Sequence, residues 1–306
     1  MGHEALWQNK LYVESALIVI AFLLLLGPFV YFMKEKNPKW IGAWASIKSW
    51  VFATPAVLVV AALPDPWPFL GLILVAIYGA KTFYRMTGMY HRSWFVWLSY
   101  VFILIQGYLV YHKDAQYYDI LPMVFFATMI LIPIFRNSHR HMIQYTALSL
   151  MNMIFMGWGF MYLGRIMMWE TGIFILLYLF ILSEFCDSIL YTVGRLFGHL
   201  KPLSNLTNRF TIEGFVASVM LTVLVAWSLR RMLPSSEEVY WLTAALSISV
   251  IGRIGSLYMS TIRRDLGIKD TGVFIIGRDD ILARIDKFVF VAPVVYFMFI
   301  YLQSAY

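Results

Sequence analysis

SLYMSTIRRDLGIKDTGVFIIGRDDILARIDKFVF, residues 256–290, separates the last two long apolar runs of this chain. It carries six cations and five carboxylates, although 13% of the whole chain is charged. The charged residues are Arg263, Arg264, Lys269, Arg278, Arg284 and Lys287, with Asp265, Asp270, Asp279, Asp280 and Asp286. Charge this dense at a membrane surface suits a polyanion bound with a divalent cation, because cations hold phosphate and carboxylates hold magnesium.

The composition around this stretch is that of a membrane protein. Of the 306 residues, 61% are hydrophobic, and the mean hydropathy is +0.72, which excludes a pair of soluble domains. The single Cys186 excludes a disulfide framework within one chain. A net charge of +7 would suggest a nucleic-acid partner for a soluble protein, but Lys and Arg accumulate in the cytoplasmic loops of membrane proteins, so none is expected here.

Apolar runs of about 20 residues predict membrane-spanning helices. The sequence predicts about ten, at 14–33, 50–64, 67–80, 93–111, 118–135, 143–163, 171–191, 212–229, 239–260 and 287–304. The second and third are short and could form one re-entrant hairpin at Pro64-Asp65-Pro66. The predicted fold is an all-α integral membrane protein, a polytopic helical bundle, since open sheet edges are not tolerated in lipid. We divide it into N-terminal helices, 1–170, and C-terminal helices, 171–306, which carry the charged loops.

The loop charges predict an orientation. The odd-numbered loops hold 18 of the 24 Lys and Arg residues, which places these loops in the cytoplasm and both termini outside. Arg253 is the one cation inside a predicted span. It either pairs with an acidic residue of a neighbouring span or reaches a phosphate.

The charged stretch also resembles a family signature. R-R-x4-K-D-x-G-x10-A-R-x-D, preceded by a Ser, is similar to the C-terminal motif of the phosphatidate cytidylyltransferases. The residues in register are Ser260, Arg264, Lys269, Asp270, Gly272, Gly277, Arg284 and Asp286. Arg263 stands where the family has Lys, Arg278-Asp279-Asp280 replaces H-G-G, and Ala283 replaces the first Asp of D-R-x-D.

A second stretch, 183–214, SEFCDSILYTVGRLFGHLKPLSNLTNRFTIEG, continues the resemblance. Glu184 and Asp187 share one face of an apolar helix, where ionisable groups normally mark a site. The alternative is a polar pair satisfied by a neighbouring helix or by Arg253. The family's layout of an acidic pair, a G-[KR] step and S-P-x-K-T-x-E-G is matched at Glu184, Asp187, Gly194, Arg195, Gly198, Thr211, Glu213 and Gly214.

The resemblance implies a membrane enzyme that makes CDP-diacylglycerol from CTP and phosphatidic acid, working as a homodimer in the bacterial inner membrane with its site facing the cytoplasm. It implies Mg²⁺ and allows a second, monovalent cation. The expected catalytic residues are Asp270, Lys269, Asp286 and Arg264. The expected substrate-binding residues are Arg263, Arg284, Ser260, Arg195, Thr211 and Glu213. The expected metal ligands are Asp270, Asp286, Glu184 and Asp187.

Two positions where the family has metal-binding Asp read Ser256 and Ala283 here. Losing carboxylates from a magnesium site should cost orders of magnitude in activity, because Mg²⁺ requires anionic oxygen ligands in octahedral geometry. Asp279 and Asp280 could replace them. Two interpretations therefore remain: a divergent cytidylyltransferase, or a catalytically degenerate member that binds lipid or nucleotide or serves as an assembly subunit.

Overall fold

The computed structural model describes residues 5–37, 40–137, 141–207, 210–267 and 281–305. Within these ranges the chain forms ten long helices and no strand. The helices are α1 (Lys10–Lys36), α2 (Ile41–Ala62), α3 (Trp67–Met86), α4 (Ser93–Tyr111), α5 (Ala115–Phe135), α6 (Met142–Met167), α7 (Gly172–Phe197), α8 (Ile212–Ser228), α9 (Glu238–Asp265) and α10 (Ile281–Ala305). The all-helical membrane fold expected from the sequence is confirmed.

Eight of these helices are long and apolar enough to cross a membrane: α1, α3, α4, α5, α6, α7, α9 and α10. The apolar parts of α2 and α8 are shorter, Trp50–Ala62 and Ile212–Ser228. The number of ten spans is therefore approximate. The second and third predicted spans are separate helices of 22 and 20 residues, joined by the Pro64-Asp65-Pro66 turn.

The outer helices present apolar side chains to the surroundings, as lipid-facing helices do. On α1, Leu24 is 68% and Leu25 is 76% exposed. The helix start is fixed locally, because the Asn9 side chain accepts a hydrogen bond from the Tyr12 backbone N–H. Tyr12 in turn donates to the Leu58 carbonyl, which ties α1 to α2.

Helix α10 lies at the centre of the bundle. Its Leu282, Val291, Ala292 and Phe299 are fully buried. Both α6 and α9 contain a π-helical segment, Met153–Gly159 and Ser247–Ile251. The first segment packs closely against α10: a methyl group added to its last residue, Gly159, would lie 2.7 Å from the Val289 carbonyl oxygen. The missing side chain lets the backbones of α6 and α10 approach closely.

The last charged stretch is more helical than expected. The predicted final span, 287–304, begins at Lys287 and leaves Arg284 and Asp286 outside, but α10 begins at Ile281 and contains all three. The reason is an apolar face with helical spacing: Leu282, Ile285 and Val289 are all buried. The division of the chain at residue 170 stays a prediction, although one hydrophobic core contains residues from both parts.

Candidate functional site

Helices α7, α9 and α10 bring charged side chains together inside the bundle. Glu184 and Asp187 lie on one face of α7, as predicted, and both contact Lys287 of α10. The Lys287 Nζ lies 2.6 Å from Asp187 Oδ2 and 3.7 Å from Glu184 Oε1. The Lys287 side chain is 4% exposed, so its charge is compensated by protein carboxylates rather than by water.

Two arginines complete this ion cluster, which we define as Glu184, Asp187, Arg253, Arg284 and Lys287. Arg253 Nη2 donates to Asp187 Oδ1 at 2.7 Å, and Arg284 Nη1 donates to Glu184 Oε2 at 3.4 Å. The sequence left open whether Arg253 pairs with an acidic residue or reaches a phosphate, and it pairs with Asp187. Each of the four carboxylate oxygens in the cluster therefore faces a cationic group.

Asp286 is buried beside this cluster, with 2% of the residue exposed. Its Oδ1 accepts a hydrogen bond from Ser256 Oγ at 3.2 Å. Helices α9 and α10 pack closely here: a methyl group added to Gly255 would lie 2.8 Å from the Phe290 ring. Ser256, which stands where the family has an Asp, thus contacts a predicted catalytic carboxylate.

The end of α7 packs on the start of α8 around one threonine. Thr211 is buried, and its Oγ1 accepts a hydrogen bond from the Gly214 N–H at 3.1 Å, which caps α8. Added methyl groups on Gly194, Gly198 and Gly214 would each lie 2.6–2.8 Å from a Thr211 side-chain atom. The glycines of this motif are therefore needed for close packing.

Glu213 stabilises the loop between these two helices. Its Oε1 accepts hydrogen bonds from the backbone N–H groups of His199 and Leu200, both at 3.0 Å. These contacts give Glu213 a structural role, as the helix cap gives one to Thr211. Their assignment as substrate-binding residues stays a prediction.

The remaining predicted residues lie near the same end of the bundle. Arg264 Nε donates to the Leu206 carbonyl at 3.2 Å, which links α9 to the loop before α8. Ser260 Oγ donates to the Ser256 carbonyl at 2.9 Å, and Arg195 Nη1 donates to Tyr191 Oη at 2.9 Å. Arg263 Nη2 is buried without a hydrogen-bond acceptor among the described residues. Lys269, Asp270, Asp279 and Asp280 lie outside the described residues.

The predicted metal ligands on α7 do not fit a metal ion in this arrangement. Mg²⁺ requires carboxylate oxygens at about 2.0–2.1 Å, but the oxygens of Glu184 and Asp187 already contact the cationic groups of the ion cluster. Within the described part of the chain, no group of three acidic, His or Cys side chains is placed to hold a metal.

Lys287 is the residue of the ion cluster to which sequence reasoning gives no role. It was counted among the cations of the charged stretch, but it received no role. The available signal is its place directly after Asp286, at the first residue of the predicted span 287–304, in a segment whose apolar spacing is helical.

Comparison with known proteins agrees with this architecture. The model of the Cytidylyltransferase family matches residues 44–302. A phosphatidate cytidylyltransferase of Staphylococcus epidermidis is 31% identical over 162 residues, covering 51% of this chain and 60% of the relative. Those of Staphylococcus haemolyticus and Staphylococcus aureus are 30% and 29% identical, with the same coverage. The chain thus matches about 60% of the length of these relatives. Because the family match extends over most of its length, this chain belongs to the Cytidylyltransferase family.

Proposed function

We propose that this protein transfers a cytidylyl group from CTP to phosphatidic acid, giving CDP-diacylglycerol and pyrophosphate. Family membership and the names of its relatives support this class of reaction. The observation that carries the proposal is the buried Nη2 of Arg263 on the last turn of α9, which no described acceptor satisfies. Arg264 lies beside it on the same turn.

The proposed reaction needs little covalent chemistry from the protein. A phosphate oxygen of phosphatidic acid attacks the α-phosphorus of CTP, and the bond from that phosphorus to the β-phosphate oxygen breaks. Pyrophosphate leaves with the bonding electrons. Positioning and neutralisation of the phosphate charge account for most of the catalysis in reactions of this type.

The arginines at the end of α9 are the proposed phosphate ligands. Arg263 has a buried Nη2 that no described acceptor satisfies, and a phosphate oxygen would satisfy it. Arg264 is exposed and can bind a phosphate through the nitrogens that do not contact Leu206. Asp270 and Lys269 keep their predicted catalytic roles as part of this proposal.

A second candidate function is binding without turnover. The observation that favours it is the closed ion cluster, in which Lys287 and two arginines occupy the oxygens of Glu184 and Asp187. Ser256 and Ala283 also lack the carboxylates of the family motif. Such a protein would keep a basic cavity for lipid or nucleotide and act as a binding or assembly subunit.

The cellular setting is proposed on the same basis. The distribution of Lys and Arg supports an orientation with the charged ends of α7, α9 and α10 in the cytoplasm, where CTP is available. The bacterial relatives support the inner membrane as the location. The homodimer and the Mg²⁺ requirement implied by the family resemblance are part of the proposal.

The test combines product formation with nucleotide binding. Purified protein in lipid nanodiscs is given CTP, phosphatidic acid and Mg²⁺, and CDP-diacylglycerol is measured by mass spectrometry. We expect Arg263→Gln to lower turnover by at least about tenfold, since a charge-assisted phosphate contact contributes about 1.5–3 kcal/mol. Arg230→Gln is the matched control, because Arg230 is half-buried and donates to the Trp227 carbonyl at the end of α8 opposite to Thr211.

Each outcome supports one candidate. Turnover that falls in Arg263→Gln and is unchanged in Arg230→Gln supports the transferase. CTP or phosphatidic acid binding without product in the unmodified protein supports the binding subunit. Equal turnover in both variants would reject Arg263 as a phosphate ligand.

A further inference from the structure

The buried ammonium of Lys287 lies where the sequence predicts a metal ion. Glu184 and Asp187 are the two acidic side chains of the apolar helix α7, and Lys287 Nζ lies within 3.7 Å of both. Its contact with Asp187 Oδ2, at 2.6 Å, is the shortest ion pair of the described residues. A cation is therefore already present between these two carboxylates.

Each oxygen of Asp187 already contacts a cationic group, although 37% of its side chain is exposed. Lys287 occupies Oδ2 from α10, and Arg253 occupies Oδ1 from α9 at 2.7 Å. Mg²⁺ at about 2 Å from either oxygen would lie close to one of these cationic groups and would be repelled by it unless that group moved away. If Lys287 moved away, its ammonium would lose both carboxylate partners. Its side chain is only 4% exposed, so water would not replace them.

The cluster already carries more cations than carboxylates without a metal. Two carboxylates, Glu184 and Asp187, face the cations of Arg253, Arg284 and Lys287. A divalent cation added to this group would be an uncompensated buried charge, which is strongly unfavourable.

We propose that the Lys287 ammonium serves as a built-in cation that replaces a divalent metal ion between Glu184 and Asp187. The proposal deepens the proposed function, since it states which cation occupies this part of the site. It predicts that α7 does not contribute metal ligands in the unmodified protein. Any metal used with CTP would then be held by other residues.

The test is metal binding, measured separately from turnover. Mn²⁺ is titrated into detergent-solubilised protein without CTP, and free Mn²⁺ is followed by electron paramagnetic resonance. Lys287→Ser removes the ammonium and leaves room beside the carboxylates, so we expect Mn²⁺ affinity to rise by at least about tenfold. Lys287→Arg keeps the positive charge and should bind Mn²⁺ like the unmodified protein. Lys10→Ser is the matched control, because Lys10 forms an exposed ion pair with Glu14.

A second arm begins with a measurement that does not depend on how well the Lys287 variants fold. Asp187→Asn in the unmodified background should leave Mn²⁺ affinity unchanged, whereas Asp187→Asn added to Lys287→Ser should abolish the gain. Mn²⁺ should also raise the thermal unfolding temperature of Lys287→Ser alone. The proposal is overturned if the unmodified protein binds Mn²⁺ and loses at least tenfold in affinity through Asp187→Asn. It is also overturned if a folded Lys287→Ser variant gains no Mn²⁺ affinity.

These outcomes are distinguishable from failure of the proposed transferase. A protein without turnover can still show the Mn²⁺ gain in Lys287→Ser, which supports the built-in cation alone. A protein with turnover and an Asp187-dependent Mn²⁺ site in the unmodified chain would support the transferase and reject the built-in cation.

Discussion

Replacing Lys287 by Met tests whether the ion cluster stabilises the packing of α7, α9 and α10. Lys287→Met keeps the length of the side chain but removes an ammonium whose side chain is 4% exposed. At 2.6 Å from Asp187, the attraction between the two charges is about 6 kcal/mol at an effective dielectric constant of about 20. Desolvation of the ions offsets part of this attraction, and Arg253 stays bound to Asp187. We therefore expect a loss of about 3 kcal/mol in the free energy of unfolding, at the lower end for a broken buried ion pair.

The assay is reversible unfolding in mixed micelles, with denaturing detergent as the variable and tryptophan fluorescence as the signal. Asp187→Asn completes a double-mutant cycle, because it removes the carboxylate that faces Lys287. We expect a coupling energy of about 1–3 kcal/mol between the two positions. Lys10→Met serves as the control for loss of a positive charge. Its side chain is 89% exposed, so it should change stability by less than about 0.5 kcal/mol.

The reasoning would be refuted by a specific pair of results. A Lys287→Met protein as stable as the unmodified one would show that the contact with Asp187 contributes nothing to folding. Additive effects of Lys287→Met and Asp187→Asn would show that the two side chains do not interact in solution.

Two further predictions concern the junction of α7 and α8. Gly198→Ala should destabilise the protein by roughly 1–3 kcal/mol, because its methyl group would lie 2.2 Å from the Gly194 carbonyl oxygen. Gly27→Ala, where nothing lies within 4 Å of the added methyl group, is the control in the same detergent unfolding assay. Thr211→Ala should cost about 1 kcal/mol through loss of the hydrogen bond from the Gly214 N–H, while Thr211→Ser should keep most of the stability. Equal stability of the two Thr211 variants would argue against the cap.

The fold could be predicted from the sequence because hydrophobic length and turn residues act locally. Each of the ten predicted spans coincides with a helix, and the Pro64-Asp65-Pro66 turn separates two of them. The start of α10 was misplaced by several residues, because Arg284, Asp286 and Lys287 lower the hydropathy of a segment that is nevertheless helical. The apolar face of that segment stabilises the helix only by packing against α9 and α7, and the local sequence does not show this packing.

The candidate site could be predicted in part. The shared face of Glu184 and Asp187 follows from their spacing of three residues on a helix. The contact between Lys287 and Asp187 joins residues 100 positions apart in the sequence, so no local pattern indicates it. The sequence suggested Arg253 as a partner of the acidic pair, but it could not choose between a carboxylate and a phosphate.

The measurement that tests the proposed function most directly is CDP-diacylglycerol formation by the unmodified protein, beside Asp270→Ala. The purified protein receives CTP labelled at the α-phosphate, phosphatidic acid and Mg²⁺, and the label is followed into lipid. The transferase proposal predicts labelled lipid from the unmodified protein and at least about a hundredfold less from Asp270→Ala. Folded protein that binds CTP or phosphatidic acid but transfers no label would contradict the proposal and favour the binding subunit.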